Sequence, residues 1–242
     1  MLKHLLTILL VITFVSSGAA FATVQAEPFD SAHAYRWALD SGFSEGFLQG
    51  IDDATLQHVY NSAADSDIFT IEETMAGNSK NAISSDMMTY RITLVKFFRG
   101  DTMDKINVYV TATWQDGHPH LRFTDLLSVT WNDTNWICGD SETLHGDPFL
   151  GVLSSSSDDG KTIEIHDTAS NPAQANQESL AWFAHLEKLG FGDESPAVRI
   201  AFTLIPKNTT LSAEELMEGF FIESTYSHYF FRWVTDAVSA GL

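Results

Sequence analysis

The chain has 242 residues, with 32 acidic side chains against 13 basic ones and a net charge of −19 with histidine neutral. A surface that neutralises nucleic-acid phosphates needs clustered Lys and Arg; the thirteen here are scattered, so nucleic acid is excluded as a partner and anionic membranes are disfavoured. Hydrophobic residues at 44% and aromatics at 12% suffice for a core, which excludes a disordered or fibrous chain.

Met1-Leu2-Lys3-His4 is a short basic start, and Leu5 to Val15 is an almost unbroken apolar run too short to cross a bilayer comfortably. Small residues follow, with peptidase sites after Ala22 or Ala26. Residues 1–26 therefore read as a cleaved signal peptide. Residues 27–242 read as a single globular domain, secreted or held at the cell surface, with no integral membrane segment after cleavage. Cys138 is the single cysteine, so no internal disulfide forms, and no cysteine follows the apolar run to accept a lipid. The lone thiol lies in Trp136-Ile137-Cys138-Gly139 without a His or Lys nearby and reads as a buried small residue. An exported chain of this size without disulfides points to a bacterial source.

From residue 29 to about residue 64 the pattern is helical, with Ser44 capping one short helix and Asp52 a second that carries Leu56, Val59 and Tyr60 on one face. Runs of β-branched and aromatic residues then predict strands over Ile68 to Met75, Met87 to Phe98, Ile106 to Trp114 and Leu121 to Trp131. Asp116-Gly117 suits a tight turn, which predicts that the last two runs pair as an antiparallel hairpin. Ser154 to Ser157, continuing into Asp158-Asp159, reads as a surface loop, and Lys161 to His166 as a short strand. Asn176 to Leu189 carries Leu180, Phe183, Leu186 and Leu189 at near-helical spacing and is predicted to be a helix. Val198 to Pro206 returns to strand, Ser212 with Glu215 forms a capping box, and Phe220 to Val234 reads as extended. Helices seldom separate the early strands. The expected fold is therefore mainly β (α+β), an antiparallel β-sandwich with a small N-terminal helical segment and one or two peripheral helices.

Gly42-Phe43-Ser44-Glu45-Gly46 matches the nucleophile-elbow pattern, but the elbow needs a preceding buried parallel strand and Tyr35 to Asp40 precedes any sheet; helix capping is the expected role of Ser44. His118 and His120, beside Asp116, could offer two ligands to a metal, an incomplete set. Asp125 is the most informative oddity. Alternation places it on the face of Leu121, Phe123, Leu127, Val129 and Trp131, so it is expected to be a structural buried acid with an Arg, drawn from Arg91, Arg99 or Arg199, or several hydrogen-bond donors beside it. Trp131, Trp136, Trp182 and Trp233 are candidate stacking platforms for sugars or peptides, although Trp131 and Trp182 fit a core pattern.

Val108 to Trp114, then Pro119, Arg122-Phe123-Thr124-Asp125 and Ser128-Val129-Thr130-Trp131, resemble a pattern in uncharacterised exported proteins of Gram-positive bacteria, in which a strand ending in Trp turns through a Pro into a strand carrying Arg, Asp and Trp. Gly42-Phe43 leading into Phe47, Leu48, Leu56 and Tyr60 is similar to the helical segment that precedes the sheet in that group. The resemblance implies export and a β-rich fold, and it assigns no catalytic or binding residue.

No complete catalytic constellation emerges. The expectation is an exported, non-enzymatic β-sandwich protein without a cofactor, binding a protein or polymer ligand. The alternatives are an exported hydrolase using Ser44 or an acid near Asp125, and a metal-binding module at His118 and His120.

Overall fold

A computed structural model of the chain describes residues 29–76, 88–115, 124–132, 134–139, 149–156, 163–169, 171–176, 178–189 and 195–228. The elements below lie in the unit Ser31–Leu242. Three helices come first: α1 (Ser31–Asp40), α2 (Glu45–Leu48) and α3 (Asp53–Ala64). Ser44 Oγ accepts from Phe47 N and caps α2, and Asp52 caps α3 by accepting from Thr55 N. Each cap satisfies an N–H that the helix start would leave unpaired. Ala34 and Ala38 of α1, and Thr55, Leu56, Val59 and Ser62 of α3, form the buried stripes.

Eleven strands follow among the described residues: β1 (Ile68–Ala76), β2 (Met88–Arg99), β3 (Thr102–Trp114), β4 (Thr124–Trp131), β5 (Trp136–Cys138), β6 (Phe149–Ser156), β7 (Ile163–Ala169), β8 (Gln174–Ala175), β9 (Ser179–His185), β10 (Ser195–Pro206) and β11 (Ile222–His228). The larger sheet runs β1-β2-β3-β10-β6-β7, with β5 also on β10, and the smaller runs β11-β4-β9-β8. Every pairing is antiparallel. The fold is the expected antiparallel β-sandwich with helices at its periphery. Alternate residues of the larger sheet, such as Tyr90, Ile92 and Leu94 of β2 with Val108, Val110 and Ala112 of β3, meet Leu127, Val129, Trp131 and Trp182 of the smaller sheet in one hydrophobic core. The helix α4 (Ala213–Met217) carries the expected capping box, and the Trp136 indole donates to Leu216 O at 3.0 Å.

Three expectations are corrected. The segment expected as a helix over Asn176 to Leu189 is strand β9 followed by a 3-10 turn at Leu186–Lys188. Leu180, Trp182, Ala184 and Leu186 are all buried in the core, so the period of two, which the near-helical spacing masks, decides the outcome. Asn176 tightens the β8–β9 hairpin instead, accepting from Glu178 N at 2.9 Å. The second correction concerns the run ending at Trp131. It does not pair with β3, whose neighbours are β2 and β10; β4 lies in the opposite sheet between β11 and β9. Alternation fixes which face of a strand is buried but not which strand lies beside it. The Asp116-Gly117 turn lies outside the described residues. Third, Ser154 and Ser155 belong to β6 and are buried, because strand pairing satisfies the backbone and the Ser155 hydroxyl lies 2.7 Å from His166 Nε2.

The sheets approach closely at Gly151. A Cβ there would lie 2.5 Å from Trp182 Cδ2, so the indole occupies the space a side chain would need. Gly151→Ala is expected to lower stability by about 1–3 kcal/mol, the usual cost of overpacking, measured by urea unfolding.

Candidate functional site

The outer face of the larger sheet, turned away from the core, carries a polar row. Strand register places Arg91 of β2 opposite Thr111 of β3, and Thr111 opposite Arg199 of β10. The next row holds Thr89, Thr113, Ala197 and Ser154. The helical segment covers the other end of this face. Phe47 packs edge-on to Tyr109 at 5.3 Å, His58 Nδ1 lies 3.1 Å from the Tyr109 hydroxyl, and Asn107 Nδ2 lies 3.4 Å from Ser62 Oγ. Thr203 donates to Asn107 Oδ1 at 2.8 Å. Burial pushes the Tyr109 hydroxyl far above its ordinary range.

Where the helical cover ends, a cleft of about 270 Å³ opens, lined by Gly46, Phe47, Gln49 and Gly50 from α2 and the residues after it, and by Thr89, Arg91, Thr111, Thr113, Gln115, Ser154, Ser155, Ile163 and Ala197. Gly46 and Gly50 stand four apart, so their bare faces lie on one side of the helical turn. A Cβ on Gly46 would collide with the Arg91 guanidinium, and one on Gly50 would lie 3.0 Å from Arg199 Nη2. The two glycines thus let the segment lie directly over the two arginines.

Those arginines differ in their surroundings. Arg91 Nη1 donates to Glu73 in an ion pair and to Ser44 Oγ at 2.8 Å, and Ser44 in turn donates to Glu73 Oε2 at 2.7 Å. Arg199 is only 2% exposed. Its Nε donates to Thr111 Oγ1 at 3.3 Å, while its Nη2 is buried with no acceptor. Burial draws its pKa down to about 10, against the opposing pull of the Asp52 charge, so it remains a cation at neutral pH. A cation in this setting keeps unmet hydrogen-bonding capacity.

The residues singled out in the sequence lie elsewhere or serve the fold. Ser44 is a helix cap tied to Arg91 and Glu73, and no histidine among the described residues hydrogen-bonds it. Asp125 is fully buried on the core face of β4 and accepts from the Tyr226 hydroxyl of β11. The Trp114 indole donates to the same hydroxyl at 3.1 Å. The expected arginines are engaged elsewhere: Arg91 with Glu73, Arg99 with Asp104 and Arg199 with Thr111. The donor is a tyrosine from a distant strand, which spacing along β4 alone does not reveal. Trp131, Trp136 and Trp182 belong to the core and stack on nothing outside; Trp233, His118 and His120 lie outside the described residues. Among the described residues, no three His, Cys, Asp or Glu side chains group as metal ligands would. The partly buried Cys138 thiol is pushed up to about 11, which keeps it protonated at neutral pH.

No family model matches the chain, and no curated protein matches it. Among solved structures it shows likenesses to the enzymatically active domain of tailspike protein 4 of bacteriophage CBA120, with 10% identity over 66% of this chain and 19% of that one and a TM-score of 0.27. A carbohydrate-binding module of the β-sandwich superfamily gives 9% identity over 65% of this chain and 54% of that one, with a TM-score of 0.26. A mutant family 29 carbohydrate-binding module gives 8% identity, 62% and 96% coverage and a TM-score of 0.19. The chain therefore spans less than two thirds of the length of the first two, and at these TM-scores no common fold is established.

The Tyr226 hydroxyl is held well above its ordinary value of 10 by burial, reinforced by the Asp125 charge. The neutral hydroxyl therefore contributes stability that is complete below about pH 10, where the unfolded tyrosine is also protonated, and is lost as pH rises further. Tyr226→Phe is expected to cost about 2–3 kcal/mol at neutral pH, because it leaves the Asp125 carboxylate without this donor, and to flatten the alkaline fall; urea unfolding at pH 7 and above pH 10 measures both.

Proposed function

We propose that the protein is an exported binding protein whose outer-face cleft takes a short, hydroxylated ligand of the saccharide class. The observation that carries this reading is the lining. Seven hydroxyl or amide side chains, those of Gln49, Thr89, Thr111, Thr113, Gln115, Ser154 and Ser155, surround the cleft. Such groups both donate and accept hydrogen bonds, which matches a ligand whose surface is hydroxyl. At about 270 Å³ the cleft lies near the small end of ligand pockets, about 300–1,000 Å³, and suits one or two sugar rings. Phe47, its aromatic member, is buried against Tyr109, so the ligand is held by hydrogen bonds and not on an exposed stacking platform. The basic start, apolar run and small-residue sites of residues 1–26 support export.

The Ser155–His166 contact at 2.7 Å favours a second reading, a hydrolase using Ser155 as nucleophile and His166 as base. An alkyl fluorophosphonate separates the two. The hydrolase reading expects a stoichiometric adduct on Ser155; the binding reading expects none.

The binding reading expects chemical-shift changes confined to the cleft when methyl glycosides are titrated into the protein, followed by amide NMR. Ala197→Leu, which fills the floor, is expected to abolish those changes at an unchanged unfolding midpoint. Shifts that persist in this variant, or fall outside the cleft, contradict the proposal.

A further inference from the structure

We infer that the cleft is specific for a sugar acid, whose single carboxylate is received by Arg199 beneath the floor between Thr111 and Gly50. This rests on the saccharide reading of the cleft and adds the charge of the ligand.

Arg199 lies in one row with Thr111 and Arg91 across three adjacent strands. Its hydrogen bond to Thr111 and its approach to Gly50 place the guanidinium against two residues that line the cleft. A 2% exposed guanidinium with five donors and one acceptor among the described residues calls for an oxyanion. The number of charges follows from the pairings. Arg91 is already matched by Glu73, whereas no carboxylate among the described residues forms an ion pair with Arg199. The Asp52 charge acts on Arg199 from beyond ion-pair distance, so at most one positive charge remains unpaired, which fits a carboxylate better than a doubly charged phosphate. The planar fork of a guanidinium also suits a carboxylate in two parallel hydrogen bonds. A polyanion would meet a protein of net charge −19, so the charge is carried on a short ligand. Nη2 packs directly under Gly50, where an added Cβ would lie 3.0 Å away, so the carboxylate reaches it only as the Gln49-Gly50 segment yields.

Isothermal titration of the full chain with methyl β-D-glucuronide and methyl β-D-glucoside tests the assignment, since the two differ at one carbon, carboxylate against hydroxymethyl. The glucuronide is expected to bind at least about tenfold more tightly, the factor one charge-assisted hydrogen bond supplies. Arg199→Met is expected to abolish that preference by weakening glucuronide binding to the glucoside level or below, and to leave the unfolding midpoint unchanged or higher, because it removes a buried cation without a paired carboxylate. Gly50→Ala, whose methyl group takes the space beside Nη2, provides a second variant should Arg199→Met not fold, and is expected to reduce the preference. Equal affinity for the two glycosides overturns the sugar-acid inference and leaves the saccharide reading standing. Binding of neither overturns both. A preference that survives both variants, or acetate competing as well as the glucuronide, also overturns the inference.

Discussion

Two arginines on the outer face of a sheet, with a helical segment lying over them, constrain everything around the cleft. Arg91 and Arg199 flank Thr111 in a single cross-strand row, and the segment above can approach because Gly46 and Gly50 present no side chains to them. Glu73 neutralises Arg91, Ser44 helps to hold it, and the same Ser44 hydroxyl caps α2. The position of α2 and the neutralisation of Arg91 are thus tied to one hydrogen-bonded cluster. Arg199 stands outside that cluster, buried and without a paired carboxylate. A buried cation of this kind adds little to stability, and the proposed ligand would supply its missing partner.

The buried acid of the core has a different character. Asp125, Tyr226 and Trp114 link strands of the two sheets through hydrogen bonds, and the Tyr226 ring meets both Trp114 and Tyr90 edge-on. This cluster lies inside the sandwich, among Leu127, Val129 and Val198, rather than at a surface a substrate reaches. Its physical role is to fix how β4 and β11 sit over β2 and β3, since an unpaired carboxylate there would be costly. The interior acid orders the sheets, and the polar outer row faces the cleft.

The sandwich architecture was legible in the sequence because the strand alternation is strong in β2, β3 and β10, and the caps at Ser44, Asp52 and Ser212 follow from local chemistry. The buried placement of Asp125 was legible for the same reason. Partners were not. Tyr226 lies 101 residues from Asp125, and alternation carries no information across that distance. The helical reading of Asn176 to Leu189 failed where apolar residues satisfied two periods at once. Ser154 and Ser155 were hidden by composition, since a serine run beside Asp158-Asp159 reads as a loop until its neighbours in the sheet are known. Arg199, the residue that matters most to the proposed recognition, sits in an alternating strand between Val198 and Ile200. A charged residue on a strand face is ordinarily solvated, and alternation does not reveal that Gly50, distant in sequence, lies over this one.

The protein is thus a sandwich with its apolar residues between its sheets and a polar row on one outer face, where the proposed ligand would bind. The most direct test of this account is a high-resolution crystal structure of the unliganded protein that resolves the surroundings of the Arg199 guanidinium. The account predicts that only water or a captured oxyanion touches its Nη atoms. A protein carboxylate, that of Asp52 above all, within about 4 Å of them would satisfy the cation internally and contradict it.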